Sequence, residues 1–135
     1  MPTWAPEGNA IAFQNRNPDN GGRFDIYSIA IDSFGNADPT SVRNLTNSPE
    51  GDIHPNWSTD PSRRIVFQSN RDFFDPLSGT YPMDRFELYL MNPDGSNQVQ
   101  FTCVGGGSRY PPGRPTEGRS RSGIWILRPQ MRQPR

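Results

Sequence analysis

The chain has 135 residues, 31% of them hydrophobic, and its 13 Gly and 15 Pro give it the composition of short strands joined by many turns. Its 14 basic and 14 acidic residues cancel to a formal net charge of zero, so no overall field gathers nucleic acid or an anionic membrane surface. The single Cys103 cannot close an internal disulfide, and no apolar run reaches the roughly 18 residues that span a bilayer.

In chain order, a short segment around Thr3 and Trp4 meets the turn Pro6-Glu7-Gly8-Asn9 and then the apolar run Ala10 to Phe13, which together read as strand, turn, strand. No basic and then apolar leader precedes this pattern, so no secretory address is expected. After the polar loop Asn17-Pro18-Asp19-Asn20-Gly21-Gly22 comes Phe24 to Ile31, whose aromatic and β-branched residues suit a third strand. A turn region from Asp32 to Pro39 then leads to a short outer strand, Val42 to Thr46.

The same course repeats. Ile53 to Trp57, a turn from Ser58 to Ser62, strands Arg64 to Ser69 and Phe86 to Met91, the turn Asn92-Pro93-Asp94-Gly95 and strand Gln98 to Thr102 follow in order. Trp4 and Trp57 lie 53 positions apart, Phe13 and Phe67 lie 54 apart, and Leu45 and Phe101 lie 56 apart, the drifting offset of one unit repeated with loop insertions. Alternation puts Phe86, Leu88 and Leu90 on one side of their strand and Tyr89 and Met91 on the other. Both faces are apolar, so this sheet must lie between two layers. The main insertion, Asp72 to Asp84, carries Phe73, Phe74, Leu77, Tyr81, Pro82 and Met83 and is apolar for a solvent loop, as a segment that meets a neighbour or a partner is.

Pro, any residue, Trp, Ser or Ala, then an acidic turn, a strand ending in Phe, a Ser/Asn-Arg pair, a strand with Ile/Leu-Tyr, and a closing Leu/Phe-Thr: this pattern resembles the WD40-like repeats of TolB-type β-propellers. It is carried by Pro2, Trp4, Pro6, Glu7, Gly8, Phe13, Asn15, Arg16, Ile26, Tyr27, Leu45 and Thr46 in the first unit. In the second it is carried by Pro55, Trp57, Ser58, Asp60, Phe67, Asn70, Arg71, Leu88, Tyr89, Asp94, Gly95, Phe101 and Thr102. The resemblance implies an all-β chain of two four-stranded antiparallel propeller blades in a partial, open ring. Residues 1–46 are then a first blade, 47–102 a second, and 103–135 a degenerate third repeat expected to be irregular or disordered. A buried Trp in each blade wants a partner for its indole N–H. The Arg after the second strand is expected to pair with the acid that opens the third, Arg16 with Asp25 and Arg71 with Glu87.

The pattern departs at Ser58-Thr59-Asp60-Pro61-Ser62, where the usual Gly is absent, so a different turn type is expected. It departs further after Arg109-Tyr110-Pro111, where Arg119-Ser120-Arg121-Ser122 stands in place of a core strand, as a shifted reading frame in a GC-rich gene would leave it. A GC-rich gene also accounts for 14 basic residues that are all Arg.

Catalytic chemistry finds few candidates. The lone His54 has Asp52 as its nearest acid and reads as a strand-end residue, no Gly-x-Ser-x-Gly elbow occurs, and nothing orients Cys103 toward His54. One Cys and one His cannot build a typical zinc site, Asn92 to Asn97 lacks the later carboxylates of a calcium loop, and Gly105-Gly106-Gly107-Ser108-Arg109 lacks the ending of a phosphate cradle. No enzyme activity, cofactor or metal is expected. The resemblance implies a non-catalytic scaffold that meets a protein partner through loops, with Phe73, Phe74 and Tyr81 and, in the first loop, Asn17, Asp19 and Arg23 as candidates, and a bacterial periplasm or envelope setting. The alternative it implies is the substrate-gating propeller of a prolyl-oligopeptidase-like serine peptidase, with the active residues outside this chain. Two blades also leave an apolar face uncovered at each end, so self-association is expected.

Overall fold

The computed structural model describes residues 1–82, 84–104, 118–119 and 124–126. Strands β1 (Thr3–Trp4), β2 (Ala10–Asn17), β3 (Arg23–Ile31) and β4 (Ala37–Asn44) form one antiparallel sheet in sequential order. A second sheet of the same design holds β5 (Asp52–Trp57), β6 (Ile65–Ser69), β7 (Glu87–Met91) and β8 (Val99–Gln100). The chain is all-β, two four-stranded antiparallel sheets that do not close on one another.

The two sheets are built in one register. Phe13 stands opposite Tyr27 across β2 and β3, and Phe67 stands opposite Tyr89 across β6 and β7. Each unit closes with the same device. The Ile26 amide donates to the Thr46 hydroxyl at 3.1 Å and the Leu88 amide to Thr102 at 2.9 Å, while Leu45 N–H meets Ile26 O and Phe101 N–H meets Leu88 O. The threonine of the recurring Leu/Phe-Thr pair therefore satisfies a third-strand N–H just where the outer strand ends.

Packing follows from alternation. One face of β6 and β7 presents Ile65, Phe67, Tyr89 and Met91, all buried, against Ala12 and Ile26 of the first sheet, with Ala5, Leu45 and Trp57 completing the core. Trp57 is 8% exposed and its indole N–H donates to Arg63 O at 2.8 Å, the partner a buried Trp requires. The opposite face of the second sheet, with Val66, Leu88 and Leu90, is half-buried, so this sheet is apolar on both sides as its sequence demands.

Several local expectations are corrected. The outer strand of the first unit begins at Ala37 rather than Val42, because the turn is confined to Asp32–Asn36 by the Asp32 carboxylate, which accepts from the amides of Phe34 and Asn36. Pro39 is tolerated inside it because β4 is an edge, and Ala30 N–H turns to the Ser41 hydroxyl at the bulge that results. The departing turn of the second unit is a residue longer, bracketed by Ser58 and Arg64 where the first is bracketed by Ala5 and Ala10. Arg63 at φ 53° occupies the left-handed position that Gly8 holds at φ 72°. Asp60 organises this turn by accepting from the Ser58 hydroxyl and the Ser62 amide, and the bonds from Ser58 and Ser62 hold its carboxyl down at about 2. Arg63 also reaches back to Glu7 at 2.5 Å, an exposed pair that ties the turns of the two units.

The expected pair of Arg16 with Asp25 is not formed. Arg16 lies opposite Phe24 in register and stacks on its ring at 4.9 Å, on the face away from Asp25. Arg71 pairs at 3.2 Å with Asp52, which the sequence did not single out for it and which is fully buried and also accepts from the Ser48 hydroxyl. The fully buried Asp25 is held by three side-chain amides, those of Asn17 and Asn44 on one oxygen and Asn20 on the other. Each amide is fixed in orientation because its own oxygen accepts a backbone N–H, from Asp19, Asn47 and Arg23 respectively. Asp25→Ala strands those three donors, and a loss of about 2–3 kcal/mol is expected in urea unfolding, with Asp25→Asn recovering part of it.

Of the tail, β9 (Thr102–Val104), β10 (Gly118–Arg119) and β11 (Ile124–Ile126) are described and form a three-stranded antiparallel sheet in the order β10-β11-β9. Backbone pairing thus persists in a region expected to be irregular, while the third-unit opening Arg109-Tyr110-Pro111 and the string Ser120-Arg121-Ser122 lie outside the described residues. Among the described residues no helix is long and apolar enough to cross a membrane.

Candidate functional site

The connections from second to third strand leave both sheets at the same end, and there they meet. In the first unit this connection is a single 3-10 turn, Pro18–Asn20, capped by the Asn17 side chain and closed by Gly21 in the left-handed region. In the second it is the long insertion, which is anchored at its neck. The Asn70 side chain donates to Pro82 O at 3.1 Å and accepts from Gly51 N–H, Phe73 N–H donates to Asn70 O, and the Tyr89 hydroxyl donates to Asp72.

Beyond the neck the insertion is a small hairpin. Asp75 and Thr80 form a bridge, and the Asp75 carboxylate accepts from Leu77 N–H and the Ser78 hydroxyl, bonds that hold its carboxyl below the usual range. The tip is apolar and in solvent, with Leu77 97% and Phe74 49% exposed. Phe74 leans on Tyr81 with ring centroids 5.1 Å apart, and the Arg23 guanidinium of the first unit lies over the Tyr81 ring at 5.3 Å. Burial, and then the neighbouring carboxylate of Glu50, raise the Tyr81 phenol above its ordinary range against the pull of Arg23.

Phe74, Tyr81 and Arg23 therefore form one surface built from both units, with Phe73 half-buried nearer the neck and Asp19 exposed on the adjoining turn. Asn17 has turned inward, where its amide serves Asp25 and the Asp19 N–H. Glu50 was missed by sequence reasoning, since it sits in the linker between units and only the folded chain carries it to Tyr81. Leu77 belongs to the apolar insertion and is picked out only by its place at the tip.

The remaining candidates for chemistry do not converge. His54, at φ 52° in the β5 bulge, faces Gln68 at 3.2 Å, while Asp52 is taken by Arg71 and Ser48. The Cys103 side chain and the Gly105–Arg109 stretch lie outside the described residues. Among the described residues no three of His, Cys, Asp and Glu stand together as metal ligands would.

Tyr89 joins the insertion to the sheet and gives a titratable readout. Burial, followed by the bond to Asp72 and its charge, raises the phenol well above 10.0. A group whose folded-state pKa is raised contributes stability in full below its unfolded value and loses it as pH climbs through the folded one. Urea midpoints are therefore expected to fall as pH rises above about 10, and Tyr89→Phe should flatten that fall, leaving the smaller share carried by Tyr27 and Tyr81, also raised.

Compared with protein-family models, curated proteins and solved structures, the chain gives no match to any of them.

Proposed function

We propose that this chain is a non-catalytic interaction scaffold, two blades of a WD40-like, TolB-like β-propeller whose loop surface takes a protein partner. The observation that carries the reading is the surface at the insertion, where an exposed Phe74 and Leu77 are held on a clasped neck and braced across units by Tyr81 and Arg23. An apolar tip with a rigid base loses little conformational freedom on binding, and aromatic and Arg residues dominate the energetics of protein interfaces. Two further features support the propeller part of the reading: the second sheet stacks face to face on the first, and the Leu/Phe-Thr closure recurs in both. The TolB-like reading carries a bacterial envelope compartment with it.

The test compares the immobilised full chain with a Phe74→Glu, Leu77→Glu double variant of matched thermal stability in recovering proteins from an envelope extract. A protein held by the native chain and lost from the variant supports the scaffold. Recovery of the same proteins by both overturns it.

A further inference from the structure

The covered face of the second sheet has a counterpart on which no other sheet among the described residues is stacked. Trp57, Ile65, Phe67, Tyr89 and Met91 lie against the first sheet, and the same register places Trp4, Ile11, Phe13, Tyr27 and Ile29 together on the outer face of the first sheet. The match is residue for residue down to the ring pair, with Phe67 and Tyr89 centroids 5.8 Å apart and Phe13 and Tyr27 6.0 Å apart. Burial is where the two sets part: Trp57 is 8% exposed and Trp4 is 56% exposed.

The covering side repeats as well. Ala12, Gln14, Ile26 and Ser28 form the face of the first sheet that lies toward the second, and Gln14 accepts from the His54 backbone N–H across the junction at 2.8 Å. At the equivalent positions the outer face of the second sheet presents Val66, Gln68, Leu88 and Leu90, keeping the glutamine, enlarging the alanine to valine and replacing the serine with leucine. Val99, opposite Leu90 on that face, is 49% exposed. One molecule thus displays an unfilled socket at one end and a more apolar version of the plug at the other.

We infer that a second copy of this chain docks head to tail, setting the Val66, Gln68, Leu88 and Leu90 face of its second sheet on the Trp4, Ile11, Phe13, Tyr27 and Ile29 face of the first. The contact continues the sheet-on-sheet interface already inside the chain and would reuse its register. The one carboxylate at the socket, Asp25, is satisfied by its three amides, and the cations that the register sets beside the two faces, Arg23 next to Asp25 and the exposed Arg64 next to Val66, lie at their margins. A junction between unlike faces leaves one of each free, so copies add in a row until they close or the supply ends. The inference is independent of whichever partner the loops take.

Light scattering on the full chain after size exclusion tests it. The native chain is expected to rise above its single-chain mass of 15.2 kDa as concentration increases. Trp4→Glu, which blocks the socket, and Leu90→Glu, which blocks the plug, should each stay at the single-chain mass. Their equimolar mixture should double in mass and stop there, since one intact socket meets one intact plug. Far-ultraviolet dichroism verifies that each variant is folded, and Val99→Glu, at an exposed position on the plug, replaces Leu90→Glu should the latter unfold. A native chain that holds the single-chain mass at every concentration, a blocked variant that still associates, or a mixture that stays at the single-chain mass overturns the proposal.

Discussion

Phe67→Ala is expected to cost about 3–5 kcal/mol in urea unfolding, while Phe13→Ala, the same substitution at the same register position of the first unit, should cost no more than about 1 kcal/mol. Phe67 is fully buried, paired with the Tyr89 ring and roofed by the Arg71 guanidinium at 5.5 Å, with Ala12 and Ile26 of the first sheet closing the core around it. Truncation opens a cavity that two rigid sheets cannot collapse to fill, so the lost transfer free energy and the cavity term add. Phe13 has the same cross-strand partner, Tyr27, yet its outer side faces solvent in the single chain and water enters the space left behind. The comparison is made at dilutions where scattering gives the single-chain mass. Equal costs for the two would refute the account of the junction between sheets as the seat of stability.

Gly95→Ala and Gly35→Ala form a second matched pair. Both glycines occupy the same place in the hairpin joining third and fourth strands, since Gly95 N–H bonds Asn92 O and Gly35 N–H bonds Asp32 O, and both are left-handed, at φ 87° and 85°. Conformation alone therefore costs each alanine about 1–2 kcal/mol. Only Gly95 has a neighbour. A methyl there would stand 3.0 Å from Leu45 C and Cα and closer still to its carbonyl oxygen, which is backbone and cannot swing aside, whereas a methyl on Gly35 meets nothing within 4 Å. Relief means lifting the hairpin off Leu45, which breaks the bond Gln98 Nε2 makes to Leu45 O. A total of about 3–5 kcal/mol is expected for Gly95→Ala, and denaturation midpoints for the two variants read the difference directly.

The four-strand rhythm of each unit is legible in the sequence because it is written twice, in apolar runs broken by Gly and Pro at matching places. What escapes is set by partners distant along the chain. Aligning Arg16 with Arg71 suggests equivalent ion pairs, but the shared Phe and Tyr register makes Arg16 the counterpart of Asn70, and a slip of one residue moves a strand side chain to the other face. The cluster around Asp25 draws amides from positions 17, 20 and 44, which no periodicity links. Pro39 reads as a breaker, although it falls at the register shift of an edge strand, which pairs on one side only. The apolar insertion is visible as an odd loop composition. Its contact with Arg23 is not, since that depends on both loops leaving the same end of stacked sheets.

The bond from Asn70 to Pro82 O spans the base of the insertion and settles its closure there. Loop entropy grows only slowly with length once the ends are held, so residues between Asp75 and Thr80 can be exchanged, lengthened or cut with little effect on the sheet below. Sequence drift at the tip is thereby decoupled from sequence constraint in the core. A molecule arranged in this way can vary its exposed tip freely while the stacked strands that carry it stay as they are.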